Sequence, residues 1–199
     1  MVSDQSSVFA TNVQQKIGIA GNFSGGSDST NNQWNKYIYP AALLAMEDFL
    51  RRRPEYGEYL QFLLLDYGGK KERVLSTTQR AEAEHVLAVV GYDQSEFAEI
   101  AARALEELRI PMITHTATAD RITAEREYIF RVCFTNSVAA KELARFARHR
   151  LNVETVISLP ISTCLYCTDL HNDFGRHFAA FGGRVIDQRS DIRDLYTTP

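Results

Sequence analysis

Short apolar runs alternate with longer amphipathic stretches along this chain from Lys16 onward. That alternation is the tightest constraint on its fold, because strands separated by helical patterns of this length argue for βαβ units and a parallel, doubly wound sheet. Residues 17–20 read as a strand closed by Gly21, followed by a loop rich in Gly, Ser and Asn from Asn22 to about Lys36. A helix is predicted after Pro40, with Leu43, Met46 and Leu50 on one stripe, ending before Pro54. Residues 60–65 are expected to form a strand buried on both faces. A helix over 73–84 and a strand over 86–90 come next. The clearest helix covers 96–108, where Phe97, Ile100, Ala101, Ala104, Leu105 and Leu108 keep the helical rhythm and Ser95 is a natural N-cap. Short strands are expected over 111–113 and 129–134. The pattern then restarts: a helix marked by Leu143, Ala144, Ala147 and Leu151, a strand over 156–159, a helix marked by Leu170, Phe174 and Phe181, and a last strand from 184–186.

Composition removes several classes. The chain has 199 residues, room for one domain or two small ones. Lys and Arg number 22 against 25 Asp and Glu, for a net charge of −3, so no basic excess points to nucleic acid. No apolar run approaches the roughly 20 residues needed to cross a bilayer, so no direct membrane insertion is expected. The first 15 residues are polar and lack the charged start and apolar core of a secretory signal; they read as a disordered or leader segment. Three cysteines, Cys133, Cys164 and Cys167, give an odd count and no disulfide framework, which leaves the compartment open.

Phosphate-binding and catalytic signatures are missing. The first turn, GNFSGG, has neither the GxGxxG register nor a following Lys-Ser/Thr, and no GxSxG elbow or HExxH helix occurs. A receiver domain would want paired acidic residues where Asn22 stands. No enzyme, cofactor or metal is therefore expected. The CxxC at Cys164 and Cys167, with His171 four residues on, is read as incidental, chemically quiet thiols, with a disulfide or redox pair and an incomplete zinc set as rivals. Asn22-Phe23-Ser24 matches a glycosylation triplet, a pattern common by chance. In a doubly wound sheet, ligands lie beyond the carboxyl ends of the strands. Ser24, Asp66, the run Asp93–Ser95 and the run Thr114–Thr118 fall there, although turns are polar in general. Trp34, in the first loop, is a candidate stacking or lid residue.

The segment VVGYDQSEFAEIAARALEELRIPMITHTATADRIT, followed by EREYIFRVCFTNS, resembles the type I periplasmic binding proteins, above all the branch that binds leucine, isoleucine, valine and other amino acids. The shared pattern is a strand ending in glycine, a serine opening a helix, a Pro/Ile-Thr strand, a small-residue turn ending in Thr, and an "FR" strand before the crossover to a second lobe. KIGIAGNFSG and Leu65-Asp66-Tyr67 agree with it, and the likeness runs from Lys16 to about Gly183. It implies a periplasmic-binding-protein-like α/β fold with lobe one over 16–137, a first crossing near 135–140, and the opening of lobe two over 138–199. Members run to roughly 330–350 residues, two domains' worth, so the native chain is expected to continue past Pro199, and the second lobe to show an unpaired edge near 184–188.

The resemblance also implies site residues. Ser95 matches the serine that, with nearby amides, binds a ligand carboxylate. Thr116 matches the residue whose backbone carbonyl meets the ligand amino group, and Thr118 the threonine whose hydroxyl joins it. Tyr166 matches an aromatic that closes over the ligand. His115, Asp93 and Gln94 depart from the family's small neutral residues and add polarity beside the pocket. The implied function is binding of an amino acid or similar small polar ligand by a solute-binding protein of an ABC transporter, in the periplasm or outside the cell. The implied partners are the transporter's membrane subunits or a fused signalling domain, the latter belonging to an alternative reading as a ligand sensor.

Overall fold

The computed structural model describes residues 14–24 and 31–187. The chain divides into two compact units, Met1–Val90 and Gly91–Pro199.

In the first unit, β1 (Gln15–Gly21) is flanked on both sides by parallel strands, β2 (Leu60–Asp66) and β3 (Val86–Val90), with Ile19 beside Leu64 on one side and Val90 on the other. The spatial order 2-1-3 reverses the chain's direction of travel at β1, so a crevice opens at the carboxyl end of that strand. Ile19, Ala20, Leu65 and Val89 form the core. At Gly18 a Cβ would stand 2.7 Å from Leu65 Cδ1 and 3.3 Å from Val89 Cγ2, so a larger residue there would displace the Leu65 side chain. Lys16 Nζ pairs with Glu84 at the far end of the strand.

Three expectations for this unit need correction. α1 (Asn31–Arg52) begins well before Pro40, which lies inside it. Before Pro40 only Trp34, Tyr37 and Ile38 keep helical spacing among polar residues, and the proline itself reads as a helix start; inside the helix it costs one intrahelical bond without ending it. Residues 31–36 of the expected loop are thus helical, and 25–30 lie outside the described residues. β2 is not buried on both faces, because Leu64 is exposed; it pairs with β1 alone within this unit. Of the expected leader, residues 1–13 lie outside the described residues and Gln15 already belongs to β1. α2 (Lys71–Ala83) lies where a helix was expected.

In the second unit, β4 (Met112–Thr114) and β5 (Ile129–Arg131) pair in parallel, with Met112 opposite Ile129. β6 (Thr155–Ile157) and β7 (Arg184–Asp187) form a separate parallel pair. α3 (Ser95–Glu107) buries Phe97, Ala101 and Leu105 of the predicted stripe together with Ala98 and Ala102, whereas Ile100, Ala104 and Leu108 are only half-buried. Glu99 lies on that stripe too, and its burial is offset by Arg126, whose Nη2 is 3.1 Å from Oε1. Ser95 is not the N-cap: Gln94 holds that place in extended backbone, and Ser95 is the first helical residue. The expected crossing near 135–140 is the N-cap and first turn of α4 (Asn136–His149), where Thr135 Oγ1 accepts from Val138 N. α4 packs on α5 (Leu165–Ala180) around Ala140, Ala144 and Phe178, the last stacked on Phe174 at 5.3 Å. Of the expected edge near 184–188, β7 pairs with β6 and with no other strand among the described residues, and Gln188 lies outside them. Among the described residues no helix is long and apolar enough to cross a membrane.

Candidate functional site

At the carboxyl ends of β1 and β2, Asp66 Oδ1 accepts from the amides of Phe23 (2.9 Å), Ser24 (3.3 Å) and Gly68 (2.9 Å). Burial pushes this carboxyl up, but hydrogen bonds from the Ser24 side chain and the three amides hold it below the ordinary aspartate value. Asp66 thus ties two loops together. Asn22 is buried, so the glycosylation triplet is not presented to solvent. Trp34 lies in α1, and its side chain is outside the described residues.

The other expected residues belong to the second unit, around the turn that follows β4. Arginine holds this turn: from the end of β5, Arg131 donates to the carbonyls of Ala119 (2.8 Å) and Ala117 (3.3 Å) and to Thr123 Oγ1 (2.9 Å). Asn136 N donates to the Thr118 carbonyl at 2.8 Å. Three successive carbonyls, 117 to 119, are therefore engaged, whereas the Thr116 carbonyl receives no bond among the described residues. The Thr116 hydroxyl donates to Asp93 O at 2.7 Å, which pins the turn to the loop before α3. Thr114 does the same from deeper in the core, donating to Tyr92 O at 2.7 Å.

Ser95 faces the same turn. Its Oγ accepts from Ala119 N at 3.3 Å, a bond that leaves its own proton unused. As the first residue of α3 it sits where helix amides lack intrahelical acceptors and carry positive partial charge. Thr118 donates to Asn136 Oδ1 at 2.6 Å, keeping lone pairs to accept with. Asn136 in turn donates through Nδ2 to Tyr166 O at 3.3 Å, and Glu96 Oε1 accepts from Leu165 N at 2.5 Å. The first turns of α3, α4 and α5 are thereby linked around one loop. Gln94 is the half-buried N-cap of α3 and makes no side-chain cap bond.

Tyr166 joins this network through its backbone. Its side chain lines an apolar cavity of about 490 Å³ with Leu143, Val156, Leu170 and Phe174, and Ser95, Thr116 and Thr118 do not line that cavity. His115 is half-buried, with Nδ1 3.1 Å from Thr116 Oγ1 and Nε2 enclosed without a partner among the described residues. Burial lowers its pKa, and nearby Asp93 only partly counters this. Beyond the turn, Asp120 accepts from Ser137 N (3.0 Å) and Oγ (2.5 Å), and Arg121 pairs with Asp169 at 2.8 Å.

Sequence reasoning missed Asn136, fully buried at the centre of the network, and the clamping role of Arg131. The signal for both was the FR…TNS run itself, taken in the sequence only as a strand before the crossover. The thiol expectation fails as well. Cys164 and Cys167 are joined by a disulfide, S–S 2.13 Å, and so are not incidental free thiols. Their three-residue spacing at a helix start brings the sulfurs together. His171 Nδ1 lies 2.6 Å from Ser158 Oγ, and no group of side chains suited to a metal occurs among the described residues.

The family described as periplasmic binding protein matches residues 14–191. Among solved structures, the chain is similar to the leucine binding protein LivK from Thermotoga maritima, with 26% identity, TM-score 0.76, and 92% of this chain and 51% of that chain covered. It is also similar to the branched-chain amino acid transporter substrate binding protein LivJ from Streptococcus pneumoniae, solved with isoleucine, at 20% identity, TM-score 0.75, and 92% and 53% coverage. A third is a solute binding protein of an ABC transporter from Rhodopseudomonas palustris, solved with 3,4-dihydroxybenzoic acid, at 20% identity, TM-score 0.69, and 87% and 46% coverage. The chain spans about half the length of these structures. No curated protein matches it.

Proposed function

The chain belongs to the periplasmic binding protein family, and from that premise we propose that it binds an amino acid or a similar small carboxylate-bearing solute for an ABC transporter. The observation that carries this reading is the unequal treatment of the turn after β4. Arg131 and Asn136 occupy the carbonyls of residues 117 to 119, yet the carbonyl of Thr116, two residues before Thr118, receives no donor among the described residues. An ammonium group needs such acceptors. Ser95 and the leading amides of α3 offer the complementary donors that a carboxylate needs.

In this reading residues 16–137 make lobe one, the chain from 138 opens lobe two, and the ligand lies in the cleft between the lobes. Tyr166 closes over it, Gln94 and His115 add polarity at its rim, and Trp34 serves as a stacking or lid residue. No step of bond-making is assigned to the chain; its work is capture and release, in the periplasm or outside the cell, with transporter membrane subunits as partners. Leucine, isoleucine and hydroxybenzoates, bound by the solved relatives, are the first ligands to try. A thermal-shift series tests this, because a ligand that prefers the native state raises the unfolding temperature with concentration. A dose-dependent rise with at least one of these compounds supports the reading, and a flat response across amino acids and aromatic acids alike contradicts it.

A further inference from the structure

The Cys164–Cys167 disulfide occupies the first turn of α5, with Cys164 as the helix N-cap. Its two sulfurs are not equivalent. Cys164 Sγ accepts from Cys167 N at 3.1 Å and sits at the positive end of the helix, whereas Cys167 lies within the first turn and lines the apolar cavity beside Tyr166. Negative charge is therefore better accommodated on Cys164. Both cysteines are half-buried rather than sealed, so a reagent can reach the bond. A structural staple is the weaker explanation, because cross-links that close so short a loop constrain the unfolded chain least. Two cysteines separated by two residues at a helix start suit exchange chemistry instead.

We propose that Cys164 and Cys167 form a thiol–disulfide exchange site whose partner is a dithiol, with Cys164 the leaving and returning sulfur. In the forward direction a thiolate of the partner attacks Cys167 Sγ. The S–S bond breaks, and its electron pair leaves on Cys164, where the Cys167 amide and the helix N-terminus hold the thiolate. The partner's second thiol, on losing its proton, attacks the partner's own sulfur in the mixed disulfide and releases Cys167. Two electrons pass from the partner, which becomes a disulfide, and the chain gains two protons as its two cysteines become thiols. In the reverse direction the Cys167 thiolate attacks a disulfide partner, and Cys164 then attacks Cys167 Sγ and displaces the partner's thiolate. This chemistry stands independently of the ligand-binding reading.

The test uses the whole chain, with dithiothreitol as the probe. The air-equilibrated protein should resist iodoacetamide at both cysteines and gain about 2 Da on reduction, one hydrogen per sulfur. In the reduced wild-type chain, a limiting pulse of iodoacetamide at pH 7 followed by peptide mapping should label Cys164 roughly 10-fold faster than Cys167 or Cys133. The single-thiol variants Cys133→Ser/Cys167→Ser and Cys133→Ser/Cys164→Ser should repeat that ranking, and the wild-type pulse decides the matter if either variant misfolds. Equal labelling, faster labelling of Cys167, or free thiols at both positions before reduction would overturn the proposal.

Discussion

Thr118 Oγ1 donates to Asn136 Oδ1 at 2.6 Å while Asn136 N donates to Thr118 O at 2.8 Å, a reciprocal pair in which both residues are buried. The pair fixes the direction of the Thr118 hydroxyl. Because its proton is committed to Asn136, the oxygen is turned into an acceptor, the polarity an ammonium group requires. The same asparagine reaches Tyr166 O, so one side chain couples the turn after β4 to the start of α5.

Asn136→Ala should therefore be costly. It strands a buried hydroxyl and removes the bond to Tyr166 O, a loss of about 1–3 kcal/mol on ordinary hydrogen-bond values. Urea unfolding of the two proteins measures it. A change below about 0.5 kcal/mol, the range of neutral surface substitutions, would mean that Arg131 alone holds the turn.

The Glu99–Arg126 pair makes a second case. Both side chains are almost enclosed, with relative exposures of 11% and 13%, and Arg126 Nη1 also donates to Ile122 O at 2.6 Å. Removing Arg126 leaves Glu99 with Arg103 alone, whose exposed side chain places Nε 2.9 Å from Oε1. Arg126→Met is expected to lower stability by about 1.5–3 kcal/mol, the range for a hydrogen bond to a charged group, and Glu99→Gln/Arg126→Met to recover part of it. Chemical denaturation of the single and double variants checks this; a single variant as stable as the parent would contradict it.

Asp66 predicts the acid limb of stability. Its folded pKa is held below the ordinary value of 3.8, so its contribution is complete above that value and is lost as pH falls through the folded one. Asp120, lowered by its bonds from Ser137 against the upward push of burial, acts in the same direction. Asp66→Asn should weaken the protein at pH 7 and flatten the decline below about pH 4, the region where native carboxylates protonate. Unfolding midpoints collected from pH 7 to pH 2 would show it. A parallel displacement of the two curves at every pH would rule out a role for Asp66 ionisation.

His115 shifts in the same direction as Asp66 for a different reason. Burial disfavours its charged form, so the ring is neutral at pH 7, and protonation must wait until below the ordinary value of 6.5. Stability from this group is complete above the unfolded pKa and is lost as pH falls from there through the lowered folded pKa. An NMR titration of the ring protons should give a midpoint under 6.5. A midpoint at or above it would place the ring in water or against Asp93 more closely than the structure has it.

The α/β class was legible because the strands and α3 carry strong periodic patterns: β3 falls on the predicted residues, and the α3 stripe of Phe97, Ala101 and Leu105 is the buried one. The opening of α1 was not legible, since most of Asn31–Lys36 is polar and a proline stands where a start was expected. Ser95, Thr116 and Thr118 could be placed at one sheet end from spacing. What each hydroxyl bonds to could not, because Asn136 and Arg131 reach the turn from later elements. The disulfide was visible as a spacing, and geometry rather than pattern decides whether two such sulfurs meet.

The central claim is that Ser95 and the turn at Thr116–Thr118 hold a small carboxylate-bearing ligand. Titration calorimetry of the parent chain, Ser95→Ala and Thr118→Ala with L-leucine, L-isoleucine and 4-hydroxybenzoate tests it most directly. The account predicts saturable one-site binding of at least one compound, weakened roughly 10-fold or more by each substitution, the worth of one hydrogen bond to a charged group. Binding that both variants retain at full affinity, or no binding of any of the three, would contradict it.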